Sequence, residues 1–266
     1  MADAPQRRLV GHFCSTILET EYSSQVRNQL YSEMIKPAAA DVVWLCLAFA
    51  CCSTAVFGDS TFERVDVDLF VMSKCPDALY AESALDPVLQ ELKDILSINM
   101  HFIGLKQEDG TYACKHGPTE CAGNAQQLCV QLYSPPLQRY DWLYKFVLCS
   151  NRQGLDAIGT FATATSCLKE AAVPFVPGTK MVGCMYAPGH DEQLQQDMRN
   201  TAALGVQTSA TIQVDGNTIC VRDGGEWKEC PAGTEPEDFK QIFCATYAAK
   251  NKGHMPPACR PSLAVA

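Results

Sequence analysis

The chain has no cluster of basic residues, and its 21 Lys and Arg stand against 30 Asp and Glu for a formal net charge of −9. Nucleic-acid binding needs a basic patch or stripe, so this balance argues against nucleic acid as a partner. No internal repeat and no low-complexity run is present, which sets aside repeat arrays and long disordered tails. No Asn-x-Ser/Thr sequon occurs, so the standard N-glycan acceptor is missing. The cysteines do not fall into the two tight ligand pairs that structural zinc sites use. What remains, 47% hydrophobic and 19% charged residues in 266, is an ordinary globular composition with enough apolar residues for a substantial core.

Cysteine is the residue in excess: 15 are spread along the whole chain. That usage points to an oxidising compartment, and hence to a secretory route. Val42 to Phe57 (VVWLCLAFACCSTAVF) is an uncharged run, followed by small residues near Ala55 and Gly58. It falls short of the roughly 20 residues of a membrane-spanning helix but suits the apolar region of a signal peptide, with cleavage near Gly58. Residues 1–41 make an unusually long leader, and Met34-Ile35-Lys36 offers an ordinary basic start for translation. The alternative is that 42–58 is an uncleaved signal anchor, with Arg7, Arg8, Arg27 and Lys36 on the cytosolic side. Membrane contact is expected only through residues 42–57, and only if they are retained. The rest of the chain is expected in the secretory pathway: secreted, in a lysosomal or vacuolar lumen, or anchored facing the lumen.

Beyond that segment, Val65 to Met72 alternates as a strand (VDVDLFVM) and stops at Ser73-Lys74-Cys75-Pro76-Asp77. From Ala78 the apolar spacing turns helical, with Pro76 suited to the first helical position. A second strand is expected over Ile98 to Leu105, and this β-α-β order gives two parallel strands joined by a right-handed crossover. From about 114 to 204 the chain reads as a helical insertion, with helical spacing at Gly123–Tyr133, Tyr140–Cys149, Ile158–Ala172 and Glu192–Leu204. Strands resume at Ala210 to Val214, then Thr218 to Arg222, with turn signals at Asp215-Gly216 and Asp223-Gly224-Gly225 and a return around Trp227. A final helix is expected over Pro236 to Ala249, capped by Thr234, with 261–266 a loose tail. The fold class is α/β, with the domain spanning about 62–260.

Cys75 sits where a strand hands over to a helix. A helix N-terminus offers unpaired N–H groups and the positive end of the dipole, which favour an anion, and the thiolate is the attacking species in disulfide exchange. Lys74 adds positive charge beside it, whereas Asp77 opposes that effect if the two side chains face each other. Three residues on, where a two-cysteine reductase keeps its resolving thiol, the motif Cys75-Pro76-Asp77-Ala78 ends in alanine. A cysteine merely buried or bridged ahead of a helix is the plainer alternative.

The run Cys114-Lys115-His116-Gly117-Pro118-Thr119-Glu120-Cys121-Ala122-Gly123-Asn124, continuing to Cys129, resembles the signature of the gamma-interferon-inducible lysosomal thiol reductase (GILT) family. The resemblance extends over about 65–260, through Cys184, Arg199 to Leu204, Cys244 and Cys259. It implies a thioredoxin-like fold with a disulfide-rich helical insertion. It also implies thiol reductase activity on disulfide-containing protein substrates in acidic compartments, with an active site at the position of Cys75. No cofactor is implied beyond an external small thiol that returns the enzyme to its starting state. A branch of the family is similar in having Ser-Lys-Cys-Pro-Asp-Ala here and the Val221-Arg222-Asp223 hairpin with Trp227 and Cys230. A second departure from the thioredoxin pattern is Ser209-Ala210, where those enzymes place a cis-proline. A cis bond before a non-proline residue costs about 2.5–4 kcal/mol, so a trans bond and a different groove contour are expected.

The signature itself reads as architecture, with Cys114, Cys121 and Cys129 stapling the entry of the insertion and His116-Gly117 forming a turn. His116 near Cys75 as a proton donor or base is the alternative. A metal site at Cys114, His116 and Cys121 is disfavoured, because oxidised cysteines do not bind zinc. From Gly58 onward the cysteines are odd in number, leaving one free thiol, for which Cys75 is the natural candidate. Cys220 and Cys230 flank one hairpin and Cys244 and Cys259 close a short loop, so each couple is expected to pair. The remaining six admit many connectivities. Mass spectrometry of the intact secreted chain should find a mature N-terminus near Gly58; recovery in the membrane fraction with 42–57 attached would establish the anchor instead.

Overall fold

The computed structural model describes residues 62–174, 179–186 and 190–260, all within the compact unit Thr61–Ala266. The extension 1–41, the apolar segment 42–58 and the tail 261–266 lie outside the described residues. Among the described residues no helix is long and apolar enough to cross a membrane.

The alternating run folds as β1 (Val65–Val71), whose Val65, Val67, Leu69 and Val71 enter the main core. Helix α1 (Pro76–Leu92) follows at once and buries Ala78, Ala81, Leu85, Val88, Leu89 and Leu92 in that core. The chain returns as β2 (Leu96–Phe102), parallel to β1 with Val65 opposite Leu96 and Val71 opposite Phe102. After the insertion come β5 (Thr211–Val214), β6 (Asn217–Asp223), β7 (Glu226–Lys228) and the closing helix α7 (Pro236–Lys250), which packs against α1. The five strands run β2-β1-β5-β6-β7, with β1–β2 parallel and the other pairs antiparallel. A parallel βαβ unit joined edge to edge with an antiparallel ββα unit is the thioredoxin-like arrangement.

The insertion comprises a short hairpin, β3 (Leu105–Lys106) and β4 (Tyr112–Ala113), then α2 (Pro118–Tyr133), a π-helical turn (Tyr140–Tyr144), α3 (Lys145–Arg152), α4 (Phe161–Glu170), α5 (Lys180–Tyr186) and α6 (His190–Ala203). It docks on β2, an edge strand whose outer backbone groups need partners. Gln131 supplies two: its amide donates to Met100 O at 2.9 Å and its carbonyl accepts from Met100 N at 2.6 Å. Asp197 on α6 accepts from Phe102 N at 2.6 Å and lies 3.7 Å from His101. Disulfides Cys129–Cys184 and Cys149–Cys167 tie α2 to α5 and α3 to α4.

Three details differ from expectation. The strand expected over Ile98–Leu105 ends at Phe102, and Leu105 begins the separate hairpin pairing with Ala113. Helix α5 carries no usable period because it is two turns long with Gly183 inside; its bridge to α2 holds it. The last helix is capped by Glu235 rather than Thr234, because the Asp238 carboxylate accepts the Glu235 N–H at 3.0 Å.

Two titratable groups, the buried Glu82 and the partly buried His101, contribute to the pH response. Glu82 on α1 is 2% exposed; Asn151 donates to one carboxyl oxygen at 2.5 Å, while the other oxygen and Asn151 Oδ1 are buried without partners. Burial pushes its pKa up to about 8, the Asn151 bond offsetting only part. Protonation turns one of these surplus acceptors into a donor. At His101 burial works against the charge, yet Asp197 and Asp68 outweigh it and raise the pKa to about 9. Both folded-state values lie above the ordinary 4.5 and 6.5, so the folded chain holds these protons more tightly than the unfolded chain. The Glu82 contribution is complete below about 4.5 and lost as pH rises through about 8; that of His101 is complete below about 6.5 and lost through about 9. Thermal melts should therefore show a higher Tm near pH 5 than near pH 8.5, and Glu82→Gln should flatten the slope; a Tm that rises over this range contradicts the assignment.

Candidate active site

Cys75 is the N-cap of α1, with extended backbone (φ −81°, ψ 121°) and Pro76 next. It is half-buried and is the free cysteine among the described residues. Its N–H donates to Met72 O at 2.9 Å and its carbonyl accepts from Leu79 N at 3.1 Å, which fixes a tight turn before the helix. Its side chain makes no cap hydrogen bond. Ala78, at the place of a resolving cysteine, is fully buried.

The turn before Cys75 is gripped by the signature run. Asn124, fully buried on α2, accepts from Ser73 N at 2.9 Å. The Ser73 hydroxyl donates to Glu120 O at 3.2 Å, and Lys74 N donates to Glu120 Oε2 at 3.3 Å. Lys74 Nζ reaches Thr119 Oγ1 at 2.9 Å. The Glu120 carboxylate is itself fully buried and also accepts from His116 N at 3.1 Å, with His116 Nδ1 against Oε2. His116 is thereby committed to the clamp through Nδ1. Close approach requires glycine at 123, where a Cβ would lie 2.6 Å from Ser73 Oγ and 2.7 Å from Ile158. Gly117, in the left-handed region at φ 88°, turns the chain into α2.

Cys114 is joined to Cys121, so neither thiolate is available to a metal, while Cys129 pairs with Cys184 away from this entry. Expecting all three to staple the entry of the insertion is thus corrected: two do so, and the third holds α5. The structure also joins Cys220 to Cys230 and Cys244 to Cys259.

On the opposite side, Met72 N donates to Ser209 Oγ at 3.0 Å. Ala210 is 2% exposed and adopts φ 62°, a conformation that costs a non-glycine residue of order 1 kcal/mol or more. A proline ring holds φ near −65°, so proline cannot adopt this backbone. The Asp77 carboxylate accepts from Gly224 N and Gly225 N, each at 3.0 Å, and lies 3.3 Å from Arg222 Nε. Its negative charge is therefore spent on the β6–β7 turn. The Arg222 guanidinium lies 3.5 Å from the Tyr80 ring centroid and 5.3 Å from that of Trp227, a cation–π arrangement beside the helix start.

With this geometry in view, comparison with known proteins is decisive for residues 66–171, which match the family model described as gamma interferon inducible lysosomal thiol reductase (GILT). Residues 66–171 are similar to a GILT-family domain. A "GILT-like protein 1" of Drosophila melanogaster is 27% identical over 92 residues, covering 32% of this chain and 36% of that protein. A "gamma-interferon-inducible lysosomal thiol reductase-like protein" of Anopheles gambiae is 29% identical over 112 residues, covering 38% and 46%. The chain thus spans less than half the length of these relatives. Among solved structures, a reduced DsbA from Mycobacterium tuberculosis has a TM-score of 0.45 at 16% identity, covering 73% of this chain and 85% of that one. A putative protein disulfide isomerase from Nitrosomonas europaea has 0.47 at 10%, covering 71% and 99%.

Ser73 stands out in the sequence only as part of the Ser-Lys-Cys-Pro-Asp-Ala motif; its role is visible only once α2 is folded against β1. Arg222 and Trp227 were singled out by resemblance, but not their stacking with Tyr80. Asn124→Ala should leave Ser73 N buried without a partner and lower unfolding free energy by about 1–3 kcal/mol in urea titration. Lys74→Ala, which loses only an exposed contact, should cost under about 0.5 kcal/mol; equal losses contradict the clamp.

Proposed function

We propose that the protein is a monothiol thiol-disulfide oxidoreductase in which Cys75 is the nucleophile. The observation that carries this reading is a lone, half-buried thiol at the start of α1, in a GILT-like domain whose other described cysteines are all bridged. First-turn N–H groups have no intrahelical acceptor, and the helix start favours a sulfur anion over a neutral thiol. Commitment of Asp77 to the β6–β7 turn supports the same reading, since it offsets a nearby negative charge.

The Cys75 thiolate attacks one sulfur of a substrate disulfide; the Cys75–substrate S–S bond forms, the substrate bond breaks, and the departing sulfur leaves as a thiolate. With Ala78 at the resolving position, a second, external small thiol attacks the mixed disulfide. It can attack at the Cys75 sulfur, releasing the substrate thiolate and leaving Cys75 joined to the small thiol; a further equivalent then frees Cys75. Two electrons pass from the external thiols to the substrate disulfide, and no bound cofactor takes part.

Disulfide-containing proteins are the proposed substrates, and the secretory or lysosomal lumen the proposed location. Five disulfides fit an oxidising compartment, and the greater stability expected at acid pH fits an acidic one. The experiment is reduction of insulin near pH 5 with excess small thiol, together with trapping of the mixed disulfide on non-reducing gels. The native chain should accelerate reduction and give a covalent adduct, and Cys75→Ser should abolish both. A rate at background with no adduct identifies instead a disulfide-rich binding module that has lost turnover.

A further inference from the structure

Cys75 has a second neighbourhood besides the main core. Phe70, Met72 and Ile103 form a small apolar cluster, and the side chains of Cys75 and Val206 both pack against it. By strand alternation Phe70 points to the opposite face of β1 from Leu69 and Val71, which enter the main core. Ile103 and Val206 are also two walls of an open hollow of about 360 Å³. The hollow continues between Leu105 of β3 and the last turns of α6, where Met198, Thr201 and Ala202 line it. The cysteine and the hollow therefore share a wall.

Its lining is unlike ordinary surface in two respects. Leu105 stands 47% exposed at its rim. Thr201 is only 1% exposed, yet its hydroxyl is buried without a hydrogen-bond partner. Aliphatic walls with Lys106 and Gln207 beside them match a peptide segment, which brings an apolar side chain and backbone amide groups at adjoining positions.

We propose that this hollow is the substrate subsite, receiving an aliphatic or aromatic side chain of a polypeptide next to the cysteine whose disulfide is exchanged. The subsite gives the domain a preference for cystines flanked by apolar sequence, such as those exposed when a protein core opens. This rests on the reading of Cys75 as the exchanging sulfur, and the test separates the two.

Two peptides, identical except for Leu or Ser beside a cysteine carrying thionitrobenzoate, are mixed with the native chain, and release of the coloured anion is followed. The Leu peptide should react roughly tenfold faster, in line with what an apolar pocket discriminates. Ala202→Trp, which fills the hollow from an exposed position, should bring the ratio towards one. A ratio near one in the native chain overturns the subsite. If neither peptide releases the anion, the exchange chemistry has failed, and the subsite is judged by binding. The same peptides with alanine in place of cysteine are then titrated into the native chain by NMR. Shifts of amides in 103–106 and 198–206 with the Leu peptide only uphold the subsite; equal or absent shifts overturn it.

Discussion

The structure depends on one buried carboxylate. Glu120 is fully enclosed, and it binds the backbone N–H of Lys74 on one side and of His116 on the other, with the His116 ring against it. A charge-assisted bond to a backbone donor in a water-poor interior is stronger than its exposed equivalent, and losing one partner leaves the rest uncompensated. Through this group and Asn124, the entry of the insertion holds the turn that ends in Cys75. The Cys114–Cys121 bridge closes the same loop, so its geometry is restrained covalently as well.

A second restraint acts from the other end of the sheet. Asp77 ties the first turn of α1 to the Gly224-Gly225 turn, and Ser209 ties β1 to the segment before β5. Cys75 is therefore fixed from both sides while its side chain stays half-exposed. Such preorganisation suits a sulfur that must meet a substrate disulfide in line, and it needs no second cysteine in the helix. The fully buried methyl of Ala78 fits the assignment of release to an outside thiol.

Much of this was readable from the chain itself. Period-two alternation ending at a Cys-Pro step marks β1, the N-cap and the start of α1, since proline tolerates only the first helical turn. Asp215-Gly216 and Asp223-Gly224-Gly225 mark the two hairpins, because the glycines supply positive φ. What the chain does not display is anything made by distant partners. Gln131 and Asp197 satisfy the edge of β2 only after the insertion folds back, and Ser73 becomes a hub only when Gly123 lets α2 approach. The signature residues were recognisable by resemblance as architecture. Their target, the backbone of Ser73 and Lys74, is a tertiary fact with no local pattern.

The central claim is that one sulfur among many is left unbridged and reachable at the start of α1. Alkylation of the native, unreduced protein followed by disulfide mapping of its peptides tests this most directly. The account predicts that, within residues 62–260, the label falls on Cys75 alone, with Cys114–Cys121, Cys129–Cys184, Cys149–Cys167, Cys220–Cys230 and Cys244–Cys259 recovered as bridged pairs. Recovery of Cys75 in a bridge, or its failure to react until the protein is unfolded, would contradict it.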